Sequence, residues 1–188
     1  MKLGGRSFLC RVPARRPRLA FVVLALALLA AAGARAQSDP DSLAAAIKAT
    51  YLYKFVPFVD WPVSAFPSSS SPVTLCVFGD ENFARLLGQA TNGQKIGNRS
   101  IVALSLTTGE TDPNCQIAFV AGPSGALAAF KGQPVLTVTD AATPAAMHGI
   151  VNFVVDSNRV RFEIDKTQAE ANGLAISSKL LSLAIRVQ

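Results

Sequence analysis

The sequence predicts an α/β domain: a mainly parallel, Rossmann-like sheet flanked by helices, with a C-terminal antiparallel hairpin and an amphipathic terminal helix. Three observations support this fold class. Four short, β-branched apolar runs alternate with helical segments, which is typical of parallel strands that are covered on both faces. Two further runs near the C-terminus flank a turn. A last stretch of helical periodicity ends the chain.

The first 36 residues have the organisation of a secretory signal peptide. Seven basic residues and no acidic residue occur in them, and the apolar run Leu19–Ala32 precedes the A-x-A cleavage pattern Ala34-Arg35-Ala36. The run has 14 residues, whereas a transmembrane helix needs roughly 20. We therefore expect a cleaved signal peptide over residues 1–36, a periplasmic product, and a single domain over residues 37–188.

The charge of the chain argues against a nucleic-acid partner. The whole chain has a net charge of +6, but seven of its 18 Lys and Arg residues lie in the leader. Residues 37–188 therefore hold 11 basic against 12 acidic side chains, whereas nucleic-acid binding needs a basic patch in the folded part. The apolar content excludes a disordered chain.

The first predicted element of the mature domain is an amphipathic helix. Its apolar residues recur at four-residue steps, at Leu43, Ile47, Tyr51, Phe55 and Val59. This spacing is helical. Pro57 bends or ends the helix, and Trp61-Pro62 closes it because a residue before proline avoids the α region.

Four parallel strands and several helices are expected next. The strands are predicted at Val73–Phe78, Ser100–Leu106, Gln116–Val120 and Val135–Val138. Helical segments are predicted near Glu81–Gly88, Ser124–Phe130 and Pro144–His148. Strands separated by helices favour a parallel sheet.

The C-terminal part has a different pattern. Gly149–Val155 and Arg159–Ile164 flank the turn residues Asp156-Ser157-Asn158, which indicates a hairpin. Apolar and charged residues alternate in the second run, as is usual for an antiparallel edge strand with one wet face. A short helix is predicted at Gln168–Asn172, and the terminal helix is predicted to begin near Ser177 or Ser178 and to continue through Val187.

Residues that could carry chemistry are sparse. His148 is the single histidine of the chain, and it has no Ser, Cys or metal-ligand cluster beside it in the sequence. The sequence contains no nucleophile elbow, no P-loop and no zinc-protease motif. We therefore expect no enzymatic activity, no metal and no cofactor.

A binding crevice is a separate hypothesis. Asp80, Ser124 and Asp140 each follow a predicted strand, and the carboxyl ends of parallel strands form the edge at which ligands bind. Ser124 could cap a helix whose free N–H groups attract an anion. The simpler interpretation is that these residues only cap helices. We favour it because no long glycine fingerprint is present.

Two cysteines remain in the mature domain, Cys76 and Cys115. An oxidising compartment allows them to pair, and two separate buried thiols are the alternative. If their strands are neighbours, the Cα atoms could come within the roughly 4.4–6.8 Å that a disulfide requires. Closing this loop would contribute about 4 kcal/mol in the chain-entropy model.

Three separated stretches resemble the YfiR family of periplasmic proteins. They read KATYLYKFVPFVDWP (residues 48–62), LCVFGD (75–80) and VRFEIDKTQAEANGLAISSKLLSLA (160–184). The resemblance spans residues 43–187. It implies a non-enzymatic regulator that binds the periplasmic region of an inner-membrane sensor, such as a diguanylate cyclase, and represses it. Repression lowers cyclic di-GMP and biofilm formation. Other members accompany histidine kinases or outer-membrane receptors.

The resemblance also bears on individual residues. Cys76 and Cys115 match one cysteine pair of such proteins, but residues 141–148 read AATPAAMH and lack a second pair. Trp61, Glu163 and Lys179 are candidate partner contacts. Core packing of Trp61, and a buried ion pair made by the two charged residues, are the alternatives.

Two further possibilities stay open. The alternative function is a periplasmic small-molecule-binding domain that acts with a sensor kinase or receptor through the Asp80, Ser124 and Asp140 crevice. A homodimer is also compatible with the sequence.

Overall fold

The computed structural model describes residues 40–188, except 108–113, 123–124, 141 and 158. The predicted signal peptide lies outside the described residues, as does Ser124. The helices are α1 (Pro40–Phe55), α2 (Glu81–Thr91), α3 (Ala126–Ala129), α4 (Lys166–Ala171) and α5 (Ser178–Leu181). Short 3-10 helices lie at Val56–Phe58, Val63–Ala65 and Ala145–Met147.

The strands of the described residues form two sheets. They are β1 (Val59–Asp60), β2 (Val73–Phe78), β3 (Lys95–Ile96), β4 (Arg99–Leu106), β5 (Cys115–Val120), β6 (Leu136–Thr139), β7 (Val151–Asp156), β8 (Arg159–Ile164), β9 (Ala175–Ile176) and β10 (Arg186–Val187). The main sheet has the order β10-β8-β7-β6-β5-β2-β4-β3, and β1 pairs with β9 separately. The five strands from β7 to β4 in this order run parallel, and β7 and β8 form the antiparallel hairpin. The predicted α/β fold class is confirmed.

One face of the main sheet, the first face, carries the larger core. Side chains of β2, β5 and β6 meet those of α1 and α2 in one buried cluster. The Phe55 ring of α1 lies 5.1 Å from the Phe162 ring and 6.1 Å from the Phe153 ring, between centroids. Phe83 of α2 lies 4.4 Å from Phe119 in the same way. Helices that cover this face explain why the strands read as continuous apolar runs.

The opposite face, the second face, changes character along the sheet. Cys76 and Phe78 of β2 belong to a smaller apolar cluster with Phe130. Farther along the same face, the threonine hydroxyls of β6 take part in hydrogen bonds. Thr139 Oγ1 donates to Asn152 Oδ1 at 2.9 Å. The second face is therefore apolar at β2 and β5 and polar from β6 onwards.

The buried face of α1 differs from the predicted stripe in its first half. Leu43 is 57% exposed and Ile47 is 37% exposed, whereas Leu52 and Phe55 are buried. In a helix with 3.6 residues per turn, side chains four residues apart are displaced by about 40° around the axis. A stripe of four-residue steps therefore rotates away from the sheet over the 16 residues of α1, and its C-terminal half alone stays on the core.

The terminal helix is shorter than predicted. It begins at Ser178 as expected but ends at Leu181. The chain then returns to β8, where Arg186 lies opposite Glu163 in parallel register. Backbone groups at this side of β8 gain partners from β10, which a longer helix could not supply. The prediction of β8 as an edge strand is therefore wrong along this stretch.

Two other predicted helical segments are also smaller. In the region of residues 124–130, the α-helix covers Ala126–Ala129. Residues 144–148 contain only the 3-10 helix Ala145–Met147. Pro144 and Gly149 flank this second segment, so it has no room for further helical turns.

Candidate functional site

Two of the sequence motifs meet in the small β1–β9 sheet. Val59 lies opposite Ile176, and Asp60 lies opposite Ala175. The Ser177 N–H also donates to the Phe58 carbonyl oxygen at 2.9 Å. The stretches 48–62 and 160–184, which are distant in the sequence, therefore form one local structure.

Trp61 follows β1 directly and is partly exposed. Its side chain packs against the core of the first face. Its indole Nε1 is buried and makes no hydrogen bond to any described residue. The core-packing interpretation and the partner-contact interpretation of this residue are therefore compatible, because a ring fixed on the core still reaches the surface.

Lys179 lies in α5, which follows β9, and is exposed. Its Nζ lies 5.7 Å from the centroid of the Phe58 ring. A cation–π contact at an exposed site contributes about 0.5–1 kcal/mol. We define the motif surface as the solvent-reaching residues around the β1–β9 sheet: Phe58, Asp60, Trp61, Val63 and Lys179.

Glu163 lies elsewhere, on the second face of the main sheet. It is opposite Asn152 in β7, and its side chain is 16% exposed. Arg186 Nη1 lies 3.5 Å from Glu163 Oε1. The ion pair that the sequence left open is thus formed with Arg186 rather than with Lys179, and the structure does not place Glu163 on the motif surface.

The predicted crevice residues make internal contacts. Asp80 Oδ1 accepts a hydrogen bond from the Phe83 N–H at 2.8 Å and caps α2. Lys48 Nζ lies 2.6 and 2.9 Å from the two carboxylate oxygens of Asp140. Neither carboxylate lines the cavity described next, and Ser124 is outside the described residues. A ligand site at these residues stays a prediction.

A cavity of about 520 Å³ lies on the second face, between α3, the 3-10 helix Ala145–Met147 and α4. Among the residues that line it are Leu127, Phe130, Lys131, Met147, His148 and Gln168. Sequence reasoning considered His148 only as a catalytic group and did not find the cavity, because its walls come from three separate segments of the chain.

Cys76 and Cys115 form a disulfide whose Cα atoms are 5.9 Å apart. The bond joins the adjacent parallel strands β2 and β5, and both residues are buried on the second face. The predicted pairing and the predicted neighbourhood of the two strands are confirmed.

Two kinds of site do not occur in the described ranges. Residues 40–188, with the gaps given above, contain no group of three or more His, Cys, Asp or Glu side chains that could hold a metal ion. In the same ranges, no helix combines the length and the apolar character needed to cross a bilayer.

Fold and site together define a small α/β domain with a disulfide inside its sheet and a surface built from two distant motifs. A family model described as YfiR/HmsC-like (DUF4154) matches residues 45–185, and the chain belongs to this family. The resemblance seen in the sequence is confirmed. The family is periplasmic and regulatory rather than catalytic, which suggests a periplasmic regulator in cyclic di-GMP signalling. No curated protein matches the chain in sequence.

Proposed function

We propose that this protein is a periplasmic, non-enzymatic regulator that binds a membrane-bound sensor, such as a diguanylate cyclase, and represses it. Repression would lower cyclic di-GMP and biofilm formation. The observation that carries the proposal is the family match over residues 45–185, which includes both segments of the motif surface. A sensor histidine kinase is the other partner of this class that the sequence allows.

The motif surface has the composition of a protein-binding site. Tryptophan is enriched among the residues that dominate binding energy, and Trp61 combines a partly exposed ring with contacts to the core. A side chain that is already ordered loses less conformational entropy when a partner binds. We therefore expect Trp61 to be the apolar anchor of the interface.

Charges around this anchor would fix the orientation of the partner. The Lys179 ammonium is held near the Phe58 ring, and Asp60 is an exposed acid on β1. Complementary charges on a partner favour one orientation and raise the association rate. We expect an acidic group of the sensor to face Lys179.

Reversal of the charge at position 179 tests this interface. Lys179→Glu should abolish repression, because it replaces an exposed cation by an anion that repels the acidic group of the partner. Lys95→Glu is the matched control, since Lys95 is also exposed but lies on β3 at the far edge of the main sheet. The measurements are the cyclic di-GMP level of cells that export each variant, and recovery of the membrane sensor with the exported protein.

The proposal makes separable demands on these results. Thermal melts of both variants should match that of the parent protein, so that loss of repression reports binding rather than folding. Equal repression by Lys179→Glu and Lys95→Glu would remove the motif surface from the interface. Unchanged cyclic di-GMP on deletion of the gene, together with recovery of no inner-membrane sensor, would contradict the cyclase function itself.

A further inference from the structure

We propose that the cavity on the second face binds a small aliphatic monocarboxylate that carries a hydroxyl group. The site shares no residue with the motif surface, and it does not depend on the identity of the regulatory partner. Three properties of the lining support the proposal: its apolar character, its hydrogen-bond acceptors and its charge.

The size and the apolar character of the cavity suit a small organic molecule. Its volume of about 520 Å³ falls in the range of roughly 300–1,000 Å³ that is usual for ligand sites. Leu127, Met147 and several alanines line it. Phe130 also lines it, but this ring is buried and packs against Phe78 at 5.5 Å between centroids. The accessible lining is therefore mainly aliphatic.

A hydrogen-bond acceptor in the cavity wall has no donor. Gln168 is fixed in the first turn of α4, where its backbone N–H donates to Asp165 Oδ1 at 2.8 Å. Its side-chain Oε1 is buried and accepts no hydrogen bond from any described residue. A buried acceptor without a donor is unfavourable, so a ligand hydroxyl at this atom would supply the missing hydrogen bond.

His148 presents a second acceptor on the same wall. Its Nε2 lies 3.1 Å from the Thr143 carbonyl oxygen, and a carbonyl oxygen can only accept, so Nε2 carries the proton. In the neutral imidazole Nδ1 is then an acceptor. Two acceptors on one wall favour a ligand that donates hydrogen bonds.

The charge of the lining favours an anion. Lys131 lines the cavity, and the described lining residues include no Asp or Glu. A carboxylate would gain from the ammonium and meet no like charge at the wall. A neutral alcohol of the same length lacks this interaction, which is why a hydroxylated carboxylate is the class we propose.

The wall that holds His148 is rigid. A Cβ atom at Gly149 would lie 2.8 Å from the Thr137 carbonyl oxygen, so the chain can run this close to β6 only with glycine. The next N–H, of Ile150, donates to Thr137 Oγ1 at 3.0 Å. A wall fixed in advance lowers the entropic cost of binding.

Met147 allows a direct measurement of binding in the cavity. The chain has two methionines, Met1 and Met147, so methyl-13C-methionine labelling of the full exported protein gives one signal from the cavity. Titration with 3-hydroxyoctanoate should shift the Met147 methyl signal saturably. Octanoate lacks the hydroxyl and should bind about tenfold more weakly. The amide of 3-hydroxyoctanoate lacks the charge and should bind about two- to fivefold more weakly, since Lys131 is exposed.

Two variants locate the binding site. Ala128 and Ala129 are exposed neighbours on α3, but only Ala128 lines the cavity. Ala128→Phe should therefore abolish the titration shift, and Ala129→Phe should leave it unchanged. Gln168→Leu removes the buried acceptor and should reduce the preference for 3-hydroxyoctanoate over octanoate from about tenfold to about twofold or less.

Three results would overturn the proposal. The first is a Met147 signal that does not move with 3-hydroxyoctanoate in the parent protein. The second is binding to Ala128→Phe that equals binding to the parent. The third is an unchanged preference for the hydroxylated acid in Gln168→Leu, because the hydroxyl would then not bind at this residue.

Discussion

The two faces of the main sheet differ in how completely they are covered. One row of paired residues crosses the second face, and it changes from Phe78 and Val120 to Thr139, Asn152 and Glu163. The first face has no such change, because α1 and α2 cover its apolar side chains in one cluster. The comparison teaches that stability and binding are separated in this domain: one face is closed by aromatic packing, and the other retains polar groups and a cavity.

The largest effect is expected from a substitution on the closed first face. Phe55 is 1% exposed and contacts the rings of Tyr51, Phe153 and Phe162. Phe55→Ala should lower the free energy of unfolding by about 3–5 kcal/mol, through lost apolar burial and a residual cavity. Leu127→Ala is the second-face control, and urea denaturation should show about 1 kcal/mol or less for this half-buried residue. Equal losses would contradict the separation of the two faces.

The disulfide is the main stabilising feature of the second face. Replacing Cys76 or Cys115 by serine should lower the free energy of unfolding by about 2–5 kcal/mol, because the unfolded chain loses its cross-link. Repression should weaken as a consequence, although neither residue belongs to the motif surface. Thiol titration of the unfolded, unreduced exported protein should detect no free thiol. Two reactive thiols would show that the pair is reduced in the cell.

A smaller effect is expected at the ion pair between α1 and the end of β6. The side chains of Lys48 and Asp140 are 12% and 27% exposed, so partial solvation moderates their interaction. Lys48→Met should cost about 1–2 kcal/mol in urea denaturation. Lys166→Ala is the exposed control, since the Lys166–Glu170 pair is 49% and 61% exposed. It should cost about 0.5 kcal/mol or less, and a loss as large as that of Lys48→Met would mean that burial does not decide these pairs.

The sequence predicts elements whose pattern is local. The runs Val73–Phe78 and Arg159–Ile164 have the bounds of β2 and β8, because β-branched residues and the turn at Asp156 determine them within a few positions. The cysteine pair was also predictable, since the mature domain holds only two such residues. These features need little information about the rest of the chain.

Features made by distant segments could not be predicted in the same way. The strands β1 and β9 have two residues each, too few for a periodic pattern, and their pairing depends on tertiary structure. Lys48 was part of a motif, but nothing in its surroundings indicated Asp140 as a partner. The cavity needs the relative positions of three segments, and its acceptor on Gln168 is unusual only because of what surrounds it.

The bond between Cys76 and Cys115 also makes a covalent ring of the chain between them. The two residues are 39 positions apart, and the ring contains α2, β3 and β4. In the sheet, β4 and β3 lie on the side of β2 that is away from β5, so the ring encloses one entire edge. A protease that cuts once inside this ring, for example after Lys95, therefore releases no fragment. The nicked protein should migrate as one band without reductant and as two bands with it.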